Sequence, residues 1–410
     1  MMFFYFGLLV GDLILGMLSD SLGRHKSMYI ALVFLLISSV SVTFTPEFYS
    51  FAVLQFIIGG SGHGAFVAIA VISMEMVGIS KRIWTGMLIQ AFFAIGVCYV
   101  ALTGFLARDW KWVNLASAIP CALYLSFWWF VPESPRWLIS KGRKDDAIRI
   151  IKRTAKINKA HVPEHMYDVK EDDVDVEMEG KLWHVFASPV LFKRTLILSF
   201  GWMIVSMTYY GVTMNAGNMG GSFFLNFFLM GFAELPGILV GMIILDRLGR
   251  RWSNAGSMIV GGVACVATIP VVLLGGDELQ PLTITLALIG KAASASAFSI
   301  IYMFTAELSP TVVRNAAMGL CSCAARVGAM LAPYIAKSGE MIGGKFGTIE
   351  PLVIFGALSI IAGLLLLLLP ETHRQILPDT IAEGEQFGRK MQREDKEVEI
   401  PFISNGKDMS

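Results

Sequence analysis

Long apolar stretches alternate with short polar loops along most of this 410-residue chain. A helix needs about 20 consecutive apolar residues to cross the hydrocarbon core of a bilayer. The pattern therefore predicts an all-α, polytopic membrane protein with about 11 transmembrane helices. The predicted spans are residues 1–18, 28–44, 49–77, 84–106, 112–131, 195–215, 221–244, 253–275, 281–306, 315–337 and 350–369.

Basic residues collect in every second loop between these spans. The basic loops hold Arg24, Lys26, Lys81, Arg82, Arg247, Arg250, Arg251 and Arg314, whereas the opposite loops hold few. Short loops rich in lysine and arginine face the cytoplasm. We therefore predict that this set is cytoplasmic, and we refer to it as the basic side.

A single long polar stretch, residues 132–194, divides the apolar stretches into two groups. It predicts four regions. They are an N-terminal helix bundle over 1–131, a cytoplasmic linker with short helices over 132–194, a C-terminal six-helix bundle over 195–370 and a cytoplasmic tail over 371–410.

Three motifs of the basic side occur twice, in the same order. They are Asp20-Ser-Leu-Gly23-Arg24 with Asp246-Arg-Leu-Gly249-Arg250, Glu75…Arg82 with Glu307…Arg314, and Pro132-Glu133-Ser134 with Pro370-Glu371-Thr372. The copies are separated by 226, 232 and 238 residues, a nearly constant offset. Three matches in register indicate a parallel duplication of the two halves.

Acidic and basic residues recur together in these motifs, which predicts a cytoplasmic gate. The glycines permit a tight turn between spans, and the arginines that follow are held at the membrane surface. We expect ion pairs with the nearby acids to link the two halves when the basic side closes, as in rocking of two repeats. Simple positive-inside anchoring is the alternative for the arginines alone. The predicted gate consists of Asp20, Gly23, Arg24, Glu75, Arg82, Glu133, Arg136, Asp246, Gly249, Arg250, Glu307, Arg314 and Glu371.

Composition supports the membrane prediction and narrows the partners. Hydrophobic residues make up 55% of the chain and charged residues only 16%, against about a quarter charged in soluble domains. The net charge of +1 gives no reason to expect a nucleic acid. All five cysteines fall in apolar segments, where free thiols are expected. With no nucleophile–base constellation and no metal-ligand spacing, we predict neither enzymatic activity nor a cofactor or metal.

The order Gly16-x-x-x-Asp20-x-x-Gly23-Arg24, followed by Pro132–Trp137, resembles the major facilitator superfamily. Within it, several stretches resemble the organic cation, anion and carnitine transporter family (solute carrier family 22 type). These stretches are Tyr209–Gly220, Leu225–Pro236, Ala306–Asn315 and Leu377–Ile381. Over about residues 1–385, the resemblance implies alternating-access transport of small organic ions by a multi-pass plasma-membrane protein, with the coupling ion unspecified.

The resemblance also implies twelve helices and a large extracellular loop after the first. This chain begins where the second helix is expected, so 1–131 corresponds to helices 2–6 of the family. Two alternatives stay open. One is a sugar-porter-like carrier, whose double-glutamine pattern on the seventh helix is replaced here by Tyr209–Asn215. The other is a truncated, non-transporting membrane protein.

Ionisable side chains inside spans are candidates for function, because each costs at least about 2.5–3.5 kcal/mol at a helix centre. The resemblance places Arg326 in the central cavity, where anion and carnitine carriers commonly have arginine. Its fixed charge and bidentate donors suit a carboxylate, which favours anions or zwitterions over cations. A structural pairing with a neighbouring acid such as Glu234 is the alternative.

Further substrate-binding candidates come from other ionisable residues inside spans and from the same family resemblance. Glu234 and Lys291 are such ionisable residues, and snorkelling or a pairing within the bundle is the alternative for Lys291. Trp202 and Tyr209 share a helix face and correspond to aromatic residues of the family's cavity. The complete predicted substrate-binding set is Arg326, Trp202, Tyr209, Glu234, Lys291, Gln90 and Phe93. Asp12 is left open as a proton site, a substrate site or one member of an ion pair. The small-residue run around His63 is attributed to close approach of helices.

Overall fold

The computed structural model describes residues 2–78, 82–159, 188–219, 221–274, 277–373, 375, 378 and 380–388. Every regular element in these ranges is helical. The long helices are α1 (Met2–Leu22), α2 (Arg24–Thr43), α3 (Phe48–Met76), α4 (Arg82–Ala107), α5 (Trp110–Leu125), α8 (Pro189–Met214), α9 (Phe223–Leu248), α10 (Arg250–Val266), α12 (Gln280–Leu308), α13 (Arg314–Ile342) and α14 (Gly344–Leu366). The short ones are α6 (Pro135–Ser140), α7 (Lys144–Ile157), α11 (Thr268–Leu274) and α15 (Ile381–Gln386).

Ten helical segments of the described residues are long and apolar enough to cross a membrane, with α10 and α11 counted together. The remaining predicted span, 112–131, corresponds to α5, which has 16 residues and continues as a 3₁₀ turn over Ser126–Trp129. The all-α polytopic fold is therefore confirmed.

The linker and the start of the second bundle differ in detail from the prediction. Helices α6 and α7 occupy the first part of the linker, while residues 160–187 lie outside the described ranges. Helix α8 begins at Pro189 rather than at 195, because the Ser188 hydroxyl accepts a hydrogen bond from Leu191 N and Pro189 follows at the first helical position. Part of the 377–381 motif and residues 389–410 also lie outside the description.

Equivalent helices in the two halves pack through equivalent small residues. In the first half, Gly11 of α1 lies directly against Gly60 of α3. In the second half, Gly237 of α9 lies directly against the backbone of Ala292 of α12. The two pairs are related by the offsets of 226 and 232 residues that relate the motifs. A side chain at these glycines would collide with backbone, so the duplicated sequence fixes one close helix crossing in each half.

The halves meet along two helix pairs, α1 with α13 and α4 with α9. In the first pair, Tyr5 and Leu8 pack with Ala329. In the second, Gly231 lies against Val97 and the Cys98 thiol is 3.8 Å from the Phe228 carbonyl oxygen. Side chains that reach across these two seams can respond to movement of one half against the other.

Candidate functional site

One charged cluster joins the two halves at the first seam. Asp12 of α1, His63 of α3 and Arg326 of α13 form this inter-half triad. Arg326 Nη2 lies 3.2 Å from Asp12 Oδ2 and 2.7 Å from His63 Nε2. His63 Nδ1 also makes a hydrogen bond with Asp12 Oδ1. The Arg326 side chain is 3% exposed, whereas those of Asp12 and His63 are 21% and 17% exposed.

The contacts of the triad determine its protonation pattern. An arginine nitrogen only donates, so His63 Nε2 must accept from Arg326. His63 therefore carries its proton on Nδ1 and donates it to the Asp12 carboxylate. This arrangement contains one positive and one negative charge, and its net charge is zero. Arg326 Nε is buried and has no hydrogen-bond partner among the described residues, which leaves one charged donor unused.

An aromatic surface lies beside the triad and receives rings from both halves. Tyr5 of α1 meets Tyr210 of α8 with ring centroids 5.4 Å apart. Phe93 of α4 lies 6.4 Å from Tyr209 of α8. The surface continues from Tyr209 to Phe298 at 5.5 Å. These rings could pack against the organic part of a substrate whose charged group reaches the triad.

A second charged pair lies within the second half. Lys291 Nζ is 3.0 Å from Glu234 Oε1, and the two side chains are only 1% and 2% exposed. The Tyr209 hydroxyl donates to Glu234 Oε2 at 2.7 Å, while Lys291 Nζ donates to the Tyr209 carbonyl oxygen at 3.1 Å. Lys291 also lies over the Tyr209 ring. Tyr209 is thus held at its hydroxyl, its ring and its backbone.

These contacts give the partners of several predicted site residues. Arg326 pairs with an acid, as the structural alternative proposed, but this acid is Asp12 and not Glu234. Glu234 and Lys291 pair with each other, hold Tyr209 and offer almost no surface in this structure. Trp202 is likewise only 1% exposed, and it donates to Thr305 Oγ1 at 2.8 Å behind the aromatic surface. Direct contact of these three residues with a substrate stays a prediction.

Phe93 and Gln90, the other predicted binding residues, are more exposed than Glu234, Lys291 and Trp202. Phe93 is exposed and faces Tyr209 across the second seam, and Gln90 is half-buried one turn earlier on α4. Sequence reasoning did not bring together Asp12 and His63. The available signal was two ionisable groups inside predicted spans, in helices that a run of glycines brings together.

The three motifs of the basic side form one local structure in the first half. Gly23, with φ of 107°, turns the chain from α1 into α2. Glu133 Oε1 accepts from the backbone N–H groups of Arg24 and His25, at 3.0 and 3.1 Å, at the start of α2. The Arg24 side chain reaches Asp20 at 2.8 Å and Glu75 at 3.7 Å.

The second half repeats this structure with a shorter arginine–glutamate contact. Gly249 has φ of 84°, and Glu371 accepts from the N–H groups of Arg250 and Arg251 at 2.7 and 3.1 Å. The Arg250 side chain contacts Glu307 through Nε and Nη2, at 2.9 and 3.0 Å. The motifs recur together because the third caps the helix that the first begins, and the acid of the second holds the arginine of the first.

In this structure these ion pairs lie within the halves, and the expectation that they link the halves when the basic side closes stays a prediction. Arg24 pairs with Glu75 inside the first half, and Arg250 pairs with Glu307 inside the second. The cause is the glycine turn, which aims each arginine at the neighbouring helix of its own bundle. The motifs therefore tie the helix ends of each half into one body.

The remaining gate residues lie in different surroundings. Asp20 and Asp246 are both exposed, Asp20 pairs with Arg24, and Arg136 is exposed on α6. Arg314 is half-buried at the first residue of α13. The side chain of Arg82 lies outside the described residues.

Removing the Glu371 carboxylate is expected to destabilise the protein. Glu371→Ala deprives two N–H groups at the start of α10 of their acceptor, which costs about 1–2 kcal/mol. The apparent melting temperature of the purified protein in detergent should fall by about 2–5 °C. Glu371→Gln keeps an acceptor without the charge, so its melting temperature should lie between those of the parent and Glu371→Ala. Glu278→Ala, on an exposed turn, should have the melting temperature of the parent. Equal melting temperatures for Glu371→Ala and Glu278→Ala would contradict the capping role.

Comparisons with known proteins agree with this architecture. The profile of the sugar (and other) transporter family matches residues 1–379. The chain is 40% identical to a Drosophila melanogaster organic cation transporter protein, over 94% of this chain and 71% of the fly protein. It is 35% identical to rat solute carrier family 22 member 3, over 93% and 68% of the two chains.

Solved structures share the fold at low sequence identity. The proton:xylose symporter XylE superimposes with a TM-score of 0.68 at 19% identity, covering 94% of this chain and 88% of that one. The human organic anion transporter MFSD10 superimposes with a TM-score of 0.61 at 14% identity, covering 89% and 82%. These superpositions concern the arrangement of helices alone.

Proposed function

The chain belongs to the sugar (and other) transporter family and, within it, to the organic cation transporter and solute carrier family 22 group, and we propose on this premise that it is a transporter. We propose further that it moves a small organic anion or zwitterion across the plasma membrane by alternating access. The observation that carries the substrate class is the buried guanidinium of Arg326 at the seam between the halves. The group consists of multi-pass membrane transporters, and we propose no enzymatic activity beside transport.

Arg326 supports this proposal because its present partner is itself a carboxylate. Asp12 occupies one nitrogen of the guanidinium, and the buried Nε has no partner among the described residues. A carboxylate of a substrate could use this free donor and replace Asp12 at Nη2, forming a bidentate pair. Asp12 therefore marks where the anionic group of a substrate would sit.

The aromatic surface supports an organic rather than an inorganic substrate. Tyr5 and Phe93 come from one half and Tyr209 and Tyr210 from the other, so a bound organic body would touch both halves at once. Tyr209 is pre-positioned by Glu234 and Lys291, which lowers the cost of ordering it on binding. A flat or quaternary-ammonium group would suit these rings.

Two kinds of contact support alternating access, those that lie within one half and those that cross between the halves. Ion pairs and helix caps of the basic side lie within each half and keep it rigid. The inter-half triad crosses the seam between α1 and α13. We propose that the halves rock as bodies around the site and that the triad contacts change as they do.

A second candidate substrate class is organic cations. The partly exposed Asp12 carboxylate and the neighbouring aromatic rings could receive an ammonium group. The name of the fly relative concerns cations as well. A cation at Asp12 would compete with Arg326, which is already paired with this carboxylate. We therefore propose anions and zwitterions as the substrate class ahead of cations.

Uptake into proteoliposomes distinguishes the two classes. We expect proteoliposomes of the purified chain to take up carnitine, succinate or an aromatic sulfonate at least about tenfold faster than protein-free liposomes do, because an anionic group can use the free donor of Arg326. Tetraethylammonium should enter both kinds of liposome at the same rate. Initial rates of radiolabelled uptake provide the measurement. Transport of tetraethylammonium alone would overturn the anion or zwitterion class, and transport of none of the four would overturn the proposed function.

A further inference from the structure

We propose that the inter-half triad is a proton-binding site that couples the entry of one anionic group to the uptake of one proton. The proton would bind His63 Nε2, the atom that now accepts from Arg326. The inference rests on the proposed function, because it takes Arg326 as the residue that receives the anionic group of the substrate.

Charge balance within the membrane favours protonation of the triad when an anion binds. In the present structure the single positive charge of Arg326 is neutralised by Asp12. If a substrate carboxylate takes over Arg326, Asp12 remains as a second negative charge between the same helices. An uncompensated charge at this depth is costly, so binding of the anion favours the arrival of a positive charge beside Asp12.

His63 can supply that positive charge without any rearrangement of its contact with Asp12. Its Nδ1–H already donates to the Asp12 carboxylate. When Arg326 turns to the substrate, Nε2 loses its donor and its lone pair becomes free to bind a proton. A proton from water forms an N–H bond at Nε2, and the imidazolium pairs with Asp12. The cluster then contains Arg326 with the substrate and protonated His63 with Asp12, and one net charge of each sign has been added.

The surroundings offer no competing charge among the described residues. The ionisable groups that interact with the triad from the neighbouring helices are Tyr5 of α1, Tyr210 of α8, Tyr302 of α12 and Cys323 of α13. Phenols and thiols are ordinarily uncharged at neutral pH. The Glu234–Lys291 pair of the second half is already neutral as a pair. Protonation of the triad is therefore the nearest means of compensating the substrate charge.

Accessibility fits the same assignment. Asp12 and His63 retain exposed surface, while Arg326 is almost fully buried. The proposal requires water to reach the imidazole and the carboxylate and the substrate to displace Asp12 from the guanidinium, and the exposed surface of Asp12 and His63 permits both. Imidazole is the side chain whose charge most readily changes near neutral pH, and the adjacent Asp12 carboxylate favours its charged form.

The test is accumulation driven by a proton gradient, measured with succinate and carnitine in proteoliposomes of the whole chain. The membrane potential is held at zero with equal potassium and valinomycin, and the outside is one pH unit more acidic than the inside. Coupling of one proton to one substrate molecule predicts accumulation of about tenfold, because one pH unit is a tenfold ratio of protons. Trapped pyranine should report internal acidification that starts when the substrate is added.

Variants assign the coupling to the triad. His63→Gln keeps the Asp12–Arg326 pair but cannot be protonated, so we expect uptake that stops at equal concentrations inside and outside. Asp12→Asn removes the charge that needs compensation and should behave in the same way. Asp145→Asn, the same substitution on the exposed face of α7, should retain tenfold accumulation.

Each outcome is decisive for a different statement. Uptake by the parent protein that only equalises the concentrations overturns the coupling and leaves the proposed function standing. Tenfold accumulation by His63→Gln overturns the assignment to His63. No uptake of either probe by the parent protein overturns the proposed class of substrate, and the inference with it.

Discussion

Replacing Arg326 by alanine is expected to lower the uptake of carboxylate substrates about a hundredfold, equivalent to about 2.7 kcal/mol. Truncation of one partner of a buried, hydrogen-bonded charge pair typically costs about 2–5 kcal/mol. The loss has two parts here. The substrate loses its cationic partner, and Asp12, which Arg326 now neutralises, remains as a negative charge that repels the incoming carboxylate. Initial uptake rates in proteoliposomes, normalised to folded protein by gel filtration, would provide the measurement.

Two further variants separate the binding role of Arg326 from its structural role. Arg326→Lys keeps the charge but loses the planar pair of donors, so we expect a smaller loss of about tenfold. The double variant Arg326→Gln/Asp12→Asn contains no unpaired charge and should fold as well as the parent, yet it should fail to carry carboxylates. If this double variant transports succinate or carnitine at the parental rate, Arg326 does not bind the substrate.

The duplication gives each half an acid–base pair on the same two helices. In the first half the pair is Asp12 of α1 with His63 of α3, and in the second it is Glu234 of α9 with Lys291 of α12. Relative to the offsets of the repeat, both members of the second pair are displaced by four residues, which is about one helical turn. The displacement is the same on both helices of a half. The two pairs therefore lie at equivalent helix crossings, about one helical turn apart along the helix axes.

The consequence of this displacement is a difference in partners. The first pair reaches Arg326 of the other half and keeps exposed surface. The second pair is enclosed within its own half and holds Tyr209. We infer that duplication supplied two similar acid–base pairs. The pair of the first half now contacts the other half through Arg326, and the pair of the second half stabilises Tyr209 in the wall of the site.

The sequence was sufficient to predict features that depend on local periodicity and on repetition. Span length follows from the hydrocarbon thickness, so the helices were predicted to within several residues. The motifs around Gly23 and Gly249 were visible as a repeat because their spacing is nearly constant. Their mechanical role was predicted only in part, since the capping of α2 by Glu133 depends on a contact across more than a hundred residues of chain.

The inter-half triad could not be predicted from the sequence. Its members lie on three helices, and Arg326 is separated from Asp12 by most of the chain. Hydropathy shows that each residue is unusual for a span, but the rotation of a helix about its axis is set by packing between halves. Glu234 as the partner of Arg326 was a reasonable expectation from charge alone, and the structure assigns it to Lys291 because α9 and α12 cross at Gly237.

Replacing Lys291 by methionine is expected to destabilise the protein strongly. The change leaves Glu234 as an unpaired carboxylate at 2% exposure, and breaking a buried ion pair in this way costs about 3–5 kcal/mol. It also releases the Tyr209 carbonyl oxygen, to which Lys291 donates. The apparent melting temperature in detergent should fall by about 5–10 °C, measured by intrinsic tryptophan fluorescence.

The double variant Lys291→Met/Glu234→Gln tests whether the loss comes from the unpaired charge. Glutamine has nearly the shape of glutamate and can still accept from the Tyr209 hydroxyl, so the double variant contains no buried charge and keeps that hydrogen bond. We expect it to regain more than half of the lost stability, because two residues in direct contact are coupled and their effects do not add. If the double variant is as unstable as the sum of the two single variants, Glu234 and Lys291 do not act as a pair. In that case the position of Tyr209 must depend on packing against Phe298 instead.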